Sequence, residues 1–266
     1  MTTRVEQFGD VRRLRMSSVG GRLVGIDVSA YVVRGVMIDT GFDRVHDELT
    51  SAIASLDVEG VIVTHWHEDH AGNVAALARL GMPICLAPGT ESTLRAQPEI
   101  QLYRRSIWGR PPALESPIVP FVPSGFECAH TPGHSDDHHV VWDAETGTLF
   151  SGDLWLAIRS RVLHSSEDPY EIVASLRRAA ALSPSRMFDA HRGLVENPVA
   201  ALNAKADWLG EMMEAIAREI AEGRGDREIV NRLLEGEYRS AYISAGDYSR
   251  RNLVKAVRRR VSSTSS

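Results

Sequence analysis

The chain has 266 residues, with 30 basic and 35 acidic side chains and a formal charge of −5 at pH 7. At 43% hydrophobic and 24% charged, it carries enough apolar material for one large α/β domain or two small ones, which argues against wholesale disorder. The mild acidity argues against nucleic acid and anionic membranes as partners. No apolar run reaches the roughly 20 residues of a membrane helix, and the opening MTTRVEQFGDVRRL lacks the apolar stretch of a secretory signal. Cys85 and Cys128 are too few for a disulfide framework. They read as small buried hydrophobes of a reduced, cytoplasmic protein.

In chain order, the pattern predicts short strands over 11–15, 23–28, 30–33 and 36–39, punctuated by Gly20-Gly21 and Arg34-Gly35. Val45, Leu49, Ala52, Ile53 and Leu56 then repeat at helical spacing. The continuous run 61–63 predicts a strand buried on both faces, followed by a helix over 71–80, a strand over 83–87 and a helix starting near Gly89. Residues 96–117, with Pro98, Pro111, Pro112, Pro117, Tyr103 and Trp108, have no clean period and read as an irregular binding loop or surface loop. Strands return over 118–122, 126–130, 139–142 and 148–151, the last two joined by a hairpin turn at 144–147. A helix over 168–182, a strand over 187–190 and a long helix over 198–222 follow, then two or three shorter helices. The basic run 250–260 reads as a solvated helix face, and 262–266 as a disordered tail.

Histidine is where the composition becomes informative: three of the 10 fall within residues 65–70. The segment Thr64-His65-Trp66-His67-Glu68-Asp69-His70-Ala71-Gly72-Asn73 leaves a buried strand and enters a helix. Positions two apart in extended backbone point the same way, so His65 and His67 reach one metal ion together. Asp69 and His70, after the turn, face a second point a few ångströms away. Imidazole and carboxylate suit zinc and related divalent ions. His134 in Thr131-Pro132-Gly133-His134-Ser135, Asp153 in Ser151-Gly152-Asp153 and His191 in Asp189-Ala190-His191-Arg192-Gly193 each follow a predicted strand. A sandwich would gather them at one edge, where Asp153 could bridge two ions.

These motifs resemble the metallo-β-lactamase superfamily over roughly residues 20–195. His-x-His-x-Asp-His is its signature, and the TPGHS, SGD and AHRG segments stand in the order of its later motifs. The resemblance implies an α/β fold, an αββα sandwich with additional C-terminal helices. The expected organisation is a catalytic domain over 1–195 and a helical extension over 196–266 packed on the same domain. It also implies a first ion held by His65, His67 and His134, a second by Asp69, His70 and His191, and Asp153 between them. Asp39 supports the site through hydrogen bonds. Asp153 stands where the best-known antibiotic-hydrolysing members have cysteine, and so is more like the glyoxalase II, lactonase and ribonuclease branches. Leu154-Trp155-Leu156-Ala157-Ile158-Arg159 replaces the Gly-Cys-Gly-Arg segment common in glyoxalase II, which lowers the expectation of a glutathione thioester.

The expected activity is a di-metal hydrolase of a small-molecule ester, thioester or lactone. A metal-bridging hydroxide is its nucleophile, and Asp69 and Asp153 are its catalytic carboxylates. Zinc is the first choice, with iron or manganese as alternatives. The competing readings are an iron-dependent persulfide dioxygenase and a ligand-sensing regulatory member of the fold. Trp66, Tyr103, Trp108, Trp155, Arg159 and Trp208 are the candidate substrate-binding residues, with His164 a further polar candidate, and a homodimer is compatible with the sequence.

Overall fold

The structure, a computed structural model, describes residues 1–264. In chain order the elements are β1 (Thr2–Phe8), β2 (Val11–Ser17), α1 (Val19–Val24), β3 (Val28–Val33), β4 (Val36–Ile38), α2 (His46–Ser55), β5 (Gly60–Ile62), α3 (Val74–Arg79), β6 (Pro83–Cys85), α4 (Pro88–Ala96), α5 (Leu102–Trp108) and β7 (Val119–Pro120). They continue with β8 (Phe126–His130), β9 (His139–Asp143), β10 (Thr148–Phe150), β11 (Leu163–His164), α6 (Pro169–Ala181), β12 (Arg186–Asp189) and β13 (Gly193–Val195). The chain finishes with α7 (Pro198–Ala221), α8 (Asp226–Leu233), α9 (Arg239–Ile243), β14 (Tyr248–Ser249) and α10 (Arg250–Thr264).

The chain forms two compact units. The first comprises Met1–His130, Asp136–Asp153 and Pro184–Glu196; the second takes Thr131–Ser135, Leu154–Ser183 and the chain from Asn197 onward. The first unit holds two mixed sheets, a seven-stranded one in the order β1 to β7 and a five-stranded one in the order β13-β12-β10-β9-β8. Period-two patterning sorts side chains between two cores. Tyr31, Val33, Val36, Ile38 and Ile62 pack with Val141, Phe150 and Phe188 of the second sheet. Their alternating neighbours Val28, Ala30, Val32, Met37, Val61 and Val63 pack with Leu49, Val74 and Leu77 from the helices. The run 61–63 is therefore buried on both faces, and the α/β sandwich expected from the sequence is present.

In the second unit, Asp168 caps α6 by accepting from Tyr170 N and Glu171 N. Leu202, Leu209, Met213 and Ile216 form the buried stripe of α7. Strands β11 and β14 pair antiparallel. No helix among the described residues is long and apolar enough to cross a membrane.

Several elements differ from expectation. The strand expected over 23–28 is instead the end of α1, a Gly25 C-cap at φ +75° and the start of β3; Ser18 caps the helix by accepting from Gly21 N. Strand β1 gave no apolar alternation because its side chains are exposed or only half-buried; seven register pairs to β2 hold it. Helix α5 lies inside the segment that showed no period. Helix α10 runs to Thr264, so 262–264 are helical rather than loose; residues 265 and 266, the rest of the expected tail, lie outside the described residues. Cys85 is half-buried and Cys128 exposed, so Cys128, on the last strand of its sheet, is not the buried hydrophobe expected.

Candidate metal centre

Two parallel strand pairs, one in each sheet, place the chemistry of the first unit. Strands β4 and β5 run side by side with Ile38 opposite Ile62, so the chain leaves both strands at one sheet edge, at Asp39 and at Thr64. Asp39 adopts φ +62°, a left-handed conformation that Asp tolerates better than most residues. Its carboxylate accepts from Thr64 N at 2.8 Å and Thr64 Oγ1 at 3.0 Å, and its Oδ2 lies 2.8 Å from His70 Nδ1. In the second sheet, β10 and β12 run parallel with Phe150 opposite Phe188. Their ends deliver Asp153 and His191, joined beyond the strands by Ala190 N donating to Gly152 O at 3.2 Å.

The loop after β5 folds back on itself, His70 N and Ala71 N donating to His67 O at 2.9 and 2.8 Å. Asp137 Oδ2 accepts from Trp66 N at 2.9 Å and from Thr90 Oγ1 at 2.7 Å, fixing the backbone between the first two histidines. His138 Nε2 accepts from Asp153 N at 3.1 Å. A Cβ at Gly152 would lie 2.7 Å from that nitrogen, so the backbone approaches closely there only because residue 152 has no side chain.

Within this unit His65, His67 and Asp153 bring ligand atoms within 4.8 Å of one another, and so do Asp69, His70 and His191. All six are buried except His191, which is half-buried. His70 Nδ1 is engaged by Asp39, and His191 Nδ1 donates to Asp27 O at 2.6 Å. Both rings therefore turn Nε2 toward the carboxylates: His70 Nε2 lies 3.2 Å and His191 Nε2 3.1 Å from Asp153 Oδ1, with Asp69 Oδ2 at 3.8 and 3.6 Å. His70 Nε2 makes no hydrogen bond in this arrangement.

Nitrogen lone pairs facing carboxylate oxygens repel unless positive charge sits between them, and a metal ion or protons can supply it. Burial alone would lower the pKa of His70, but the charges of Asp153, Asp39 and Asp69 outweigh it and hold it well above the ordinary value. His191 is pushed up to about 9, burial again being outweighed by Asp153 and Asp69. Asp153 is driven well below the carboxylate range because His191 and His70 overcome its burial. This imidazole and carboxylate donor set fits divalent ions of the zinc type.

His134 belongs to the second unit. There Gly133, at φ +124°, turns the chain, and His134 Nδ1 lies 2.6 Å from Glu167 Oε1. Glu167 Oε2 accepts from His164 N at 2.8 Å. A carboxylate on Nδ1 leaves the lone pair on Nε2, the usual arrangement behind a metal-ligating histidine.

The substrate candidates are placed as follows. Trp66 is half-buried, its ring edge-on to His67 at 4.7 Å. Trp108 is only 7% exposed. It packs on Phe42 at 5.5 Å, 6.4 Å from the His191 ring, which makes it a core residue rather than an open wall. Tyr103 is half-buried on α5. In the second unit Trp155 is half-buried and donates from Nε1 to Ala201 O at 3.1 Å, Arg159 is exposed, and Trp208 is half-buried on α7. His164 Nδ1 bonds the Ser166 hydroxyl at 2.7 Å.

Sequence reasoning did not single out Asp137, His138, Glu167 or Lys205. The acidic and histidine run after TPGHS was a signal for the first two. Glu167 stands one residue before a helix cap and carried none. Lys205, buried on α7, donates to Leu154 O at 2.8 Å and Trp155 O at 2.6 Å, a partnership that helical spacing cannot show.

A model of the metallo-beta-lactamase superfamily matches residues 24–191. A beta-lactamase-like protein 2 homolog of Drosophila melanogaster is 28% identical over 70% of this chain and 68% of its own length. A hydroxyacylglutathione hydrolase of Pseudomonas aeruginosa is 31% identical over 65% of this chain and 63% of its own. Further relatives, from Caenorhabditis elegans and Penicillium aethiopicum, are matched over 54% and 49% of their length. The chain thus spans between about half and two thirds of the curated relatives it matches. Among solved structures, a metallo-beta-lactamase family protein of Thermus thermophilus superposes with TM-score 0.64 at 19% identity, covering 94% of this chain and 91% of that one. The DIM-1 metallo-beta-lactamase gives 0.62 at 19% identity, covering 79% and 97%. At these identities the likeness is one of fold.

Proposed function

Because the chain belongs to the metallo-β-lactamase superfamily, we propose that it is a metal-dependent hydrolase of a small-molecule ester, thioester or lactone. The observation that carries this reading is the convergence of six donors from strand ends of both sheets, with imidazole lone pairs facing buried carboxylates. We assign His65, His67 and His134 to one ion, Asp69, His70 and His191 to a second, and Asp153 to both. Zinc is the first choice, with iron or manganese as alternatives.

When bound, divalent ions supply an activated water at neutral pH and positive charge for the developing oxyanion. The chain's own residues do the rest. Asp39 and Asp27 O hold His70 and His191 in the tautomer that presents Nε2, and Glu167 does the same for His134. The amide of Asp153 is held on His138, which fixes the direction of its carboxylate. Where the second ion is absent, Asp69 is the carboxylate best placed to move a proton between water and leaving group. Support for the bond class comes from relatives named hydroxyacylglutathione hydrolase and from an aspartate at position 153.

Elemental analysis of protein purified without chelators, followed by an ester, thioester and lactone panel, tests the reading. Two ions per chain with chelator-sensitive turnover is the expected result. A single iron with oxygen consumption on persulfides, or two ions with no turnover on any hydrolysable substrate, would overturn it.

A further inference from the structure

Glu68 lies between the candidate ligands His67 and Asp69, where a mere spacer residue would be expected to face water. It is 1% exposed. A carboxylate that dry needs a partner with good geometry. Arg104, itself 7% exposed on α5, supplies it: Nε and Nη2 reach the two oxygens of Glu68 at 2.6 and 2.8 Å. This is a bidentate fork, the arrangement that fixes direction as well as charge. Taking both charges out of water costs free energy that their attraction only partly offsets, so a pair this buried is not an easy source of stability. Two well-packed apolar side chains in its place would often be as stable or more so. What apolar side chains cannot supply is a fixed orientation of the backbone at residue 68.

That backbone is the segment that aims His67 and Asp69. Glu68 also stands next in the chain to Asp69, a candidate ligand, and an uncancelled anion there would compete with it for cations. We propose that Arg104 is a positioning residue for the metal centre: its fork on Glu68 locks the His67–Asp69 backbone and sets the aim of the Asp69 carboxylate. The inference rests on the metal reading above and adds a residue of α5 to the machinery. It concerns neither substrate contact nor the chemical step.

The test separates stability from aim. Cobalt(II) alone is titrated into metal-free protein, and affinity and visible absorption are read for wild type, Arg104→Met, Arg104→Lys and the double variant Arg104→Met/Glu68→Met. The double variant removes both charges of the fork and should melt close to wild type, as apolar replacement of a buried ion pair often does. Its second-ion dissociation constant should nevertheless be raised about 10–100-fold, the range seen when groups behind metal ligands are lost, with an altered cobalt spectrum. Arg104→Lys keeps the charge but not the fork and should show the same loss of affinity. Wild-type cobalt affinity and spectrum in either the double variant or Arg104→Lys would overturn the proposal. Should the double variant not fold, Arg104→Lys decides alone. A wild-type protein that binds no cobalt would instead remove the metal reading itself, and this inference with it.

Discussion

Oδ2 of Asp39 stands 2.8 Å from Nδ1 of His70 while its Oδ1 takes both the amide and the hydroxyl of Thr64. One carboxylate at the end of β4 therefore fixes the end of β5 and the ring of a residue six positions further on. Parallel pairing makes this possible, since it brings the two strand ends out side by side.

Asp39→Asn keeps the shape and, Asn being tolerant of left-handed backbone, keeps the turn. It loses the charge and one acceptor, so His70 is no longer held with Nε2 forward. The expected result is a second-ion affinity lower by about 10–100-fold and a stability loss of about 1–3 kcal/mol for weakened hydrogen bonds to a charged group. Metal titration and thermal melting check the two separately. Unchanged affinity would mean that His70 is oriented by packing alone.

Asp153→Asn should weaken the second ion and cut turnover by at least the same factor, because a neutral amide screens two dications poorly. Asp143 is the natural control, and the structure changes what it should show. It is fully buried and pairs with Arg34 at 2.7 Å while accepting from Glu145 N and Thr146 Oγ1. Asp143→Asn should therefore lower the melting temperature yet leave metal content intact. Near-normal metal content and turnover in Asp153→Asn would show the shared carboxylate to be elsewhere.

Trp108→Ala opens a cavity beside Phe42, and loss of a buried aromatic costs about 3–5 kcal/mol. Stability should fall first, with substrate affinity changing only as far as His191 shifts. A variant with wild-type melting and a raised KM would instead place Trp108 on the substrate.

Glu237 accepts from Ser249 Oγ, Arg250 N and Tyr238 N at 2.7, 2.8 and 3.0 Å, at the start of α10. Burial raises its pKa, but Ser249 and these amides outweigh that and hold it below the ordinary 4.5. A depressed acid stabilises the fold above its unfolded value, and that stabilisation is lost as pH falls through the folded value. Melting temperature should therefore decline below about pH 4.5 in the wild type, and Glu237→Gln should flatten that decline. An identical acid limb in both would discard the cap.

The sequence announced residues whose role depends on local spacing. The run 61–63, the clustered histidines and the stripe of α7 are all legible because period and burial are properties of neighbours in the chain. What it concealed are roles created by partners far away in number. Glu68 reads as a spacer until Arg104 is placed 36 positions on, and Glu167 reads as a loop acid until His134 meets it 33 positions away. Strand β1 was invisible for a related reason: it is held by its ladder with β2 rather than by a buried face.

The stacked rings of Phe150 and Phe188, 5.7 Å apart and within 17° of parallel, lie on opposed residues of β10 and β12, well inside the sandwich. Their consequence is one of tolerance. A one-step slip between these strands would displace His191 relative to Asp153 by about 3.3 Å, whereas a coordination bond accepts only about 0.2 Å. The two phenylalanines act as a keyway, and wear in a keyway appears at the far end of the shaft. A substitution there that merely loosens the register would be felt as a misfit between donors that the rings never touch.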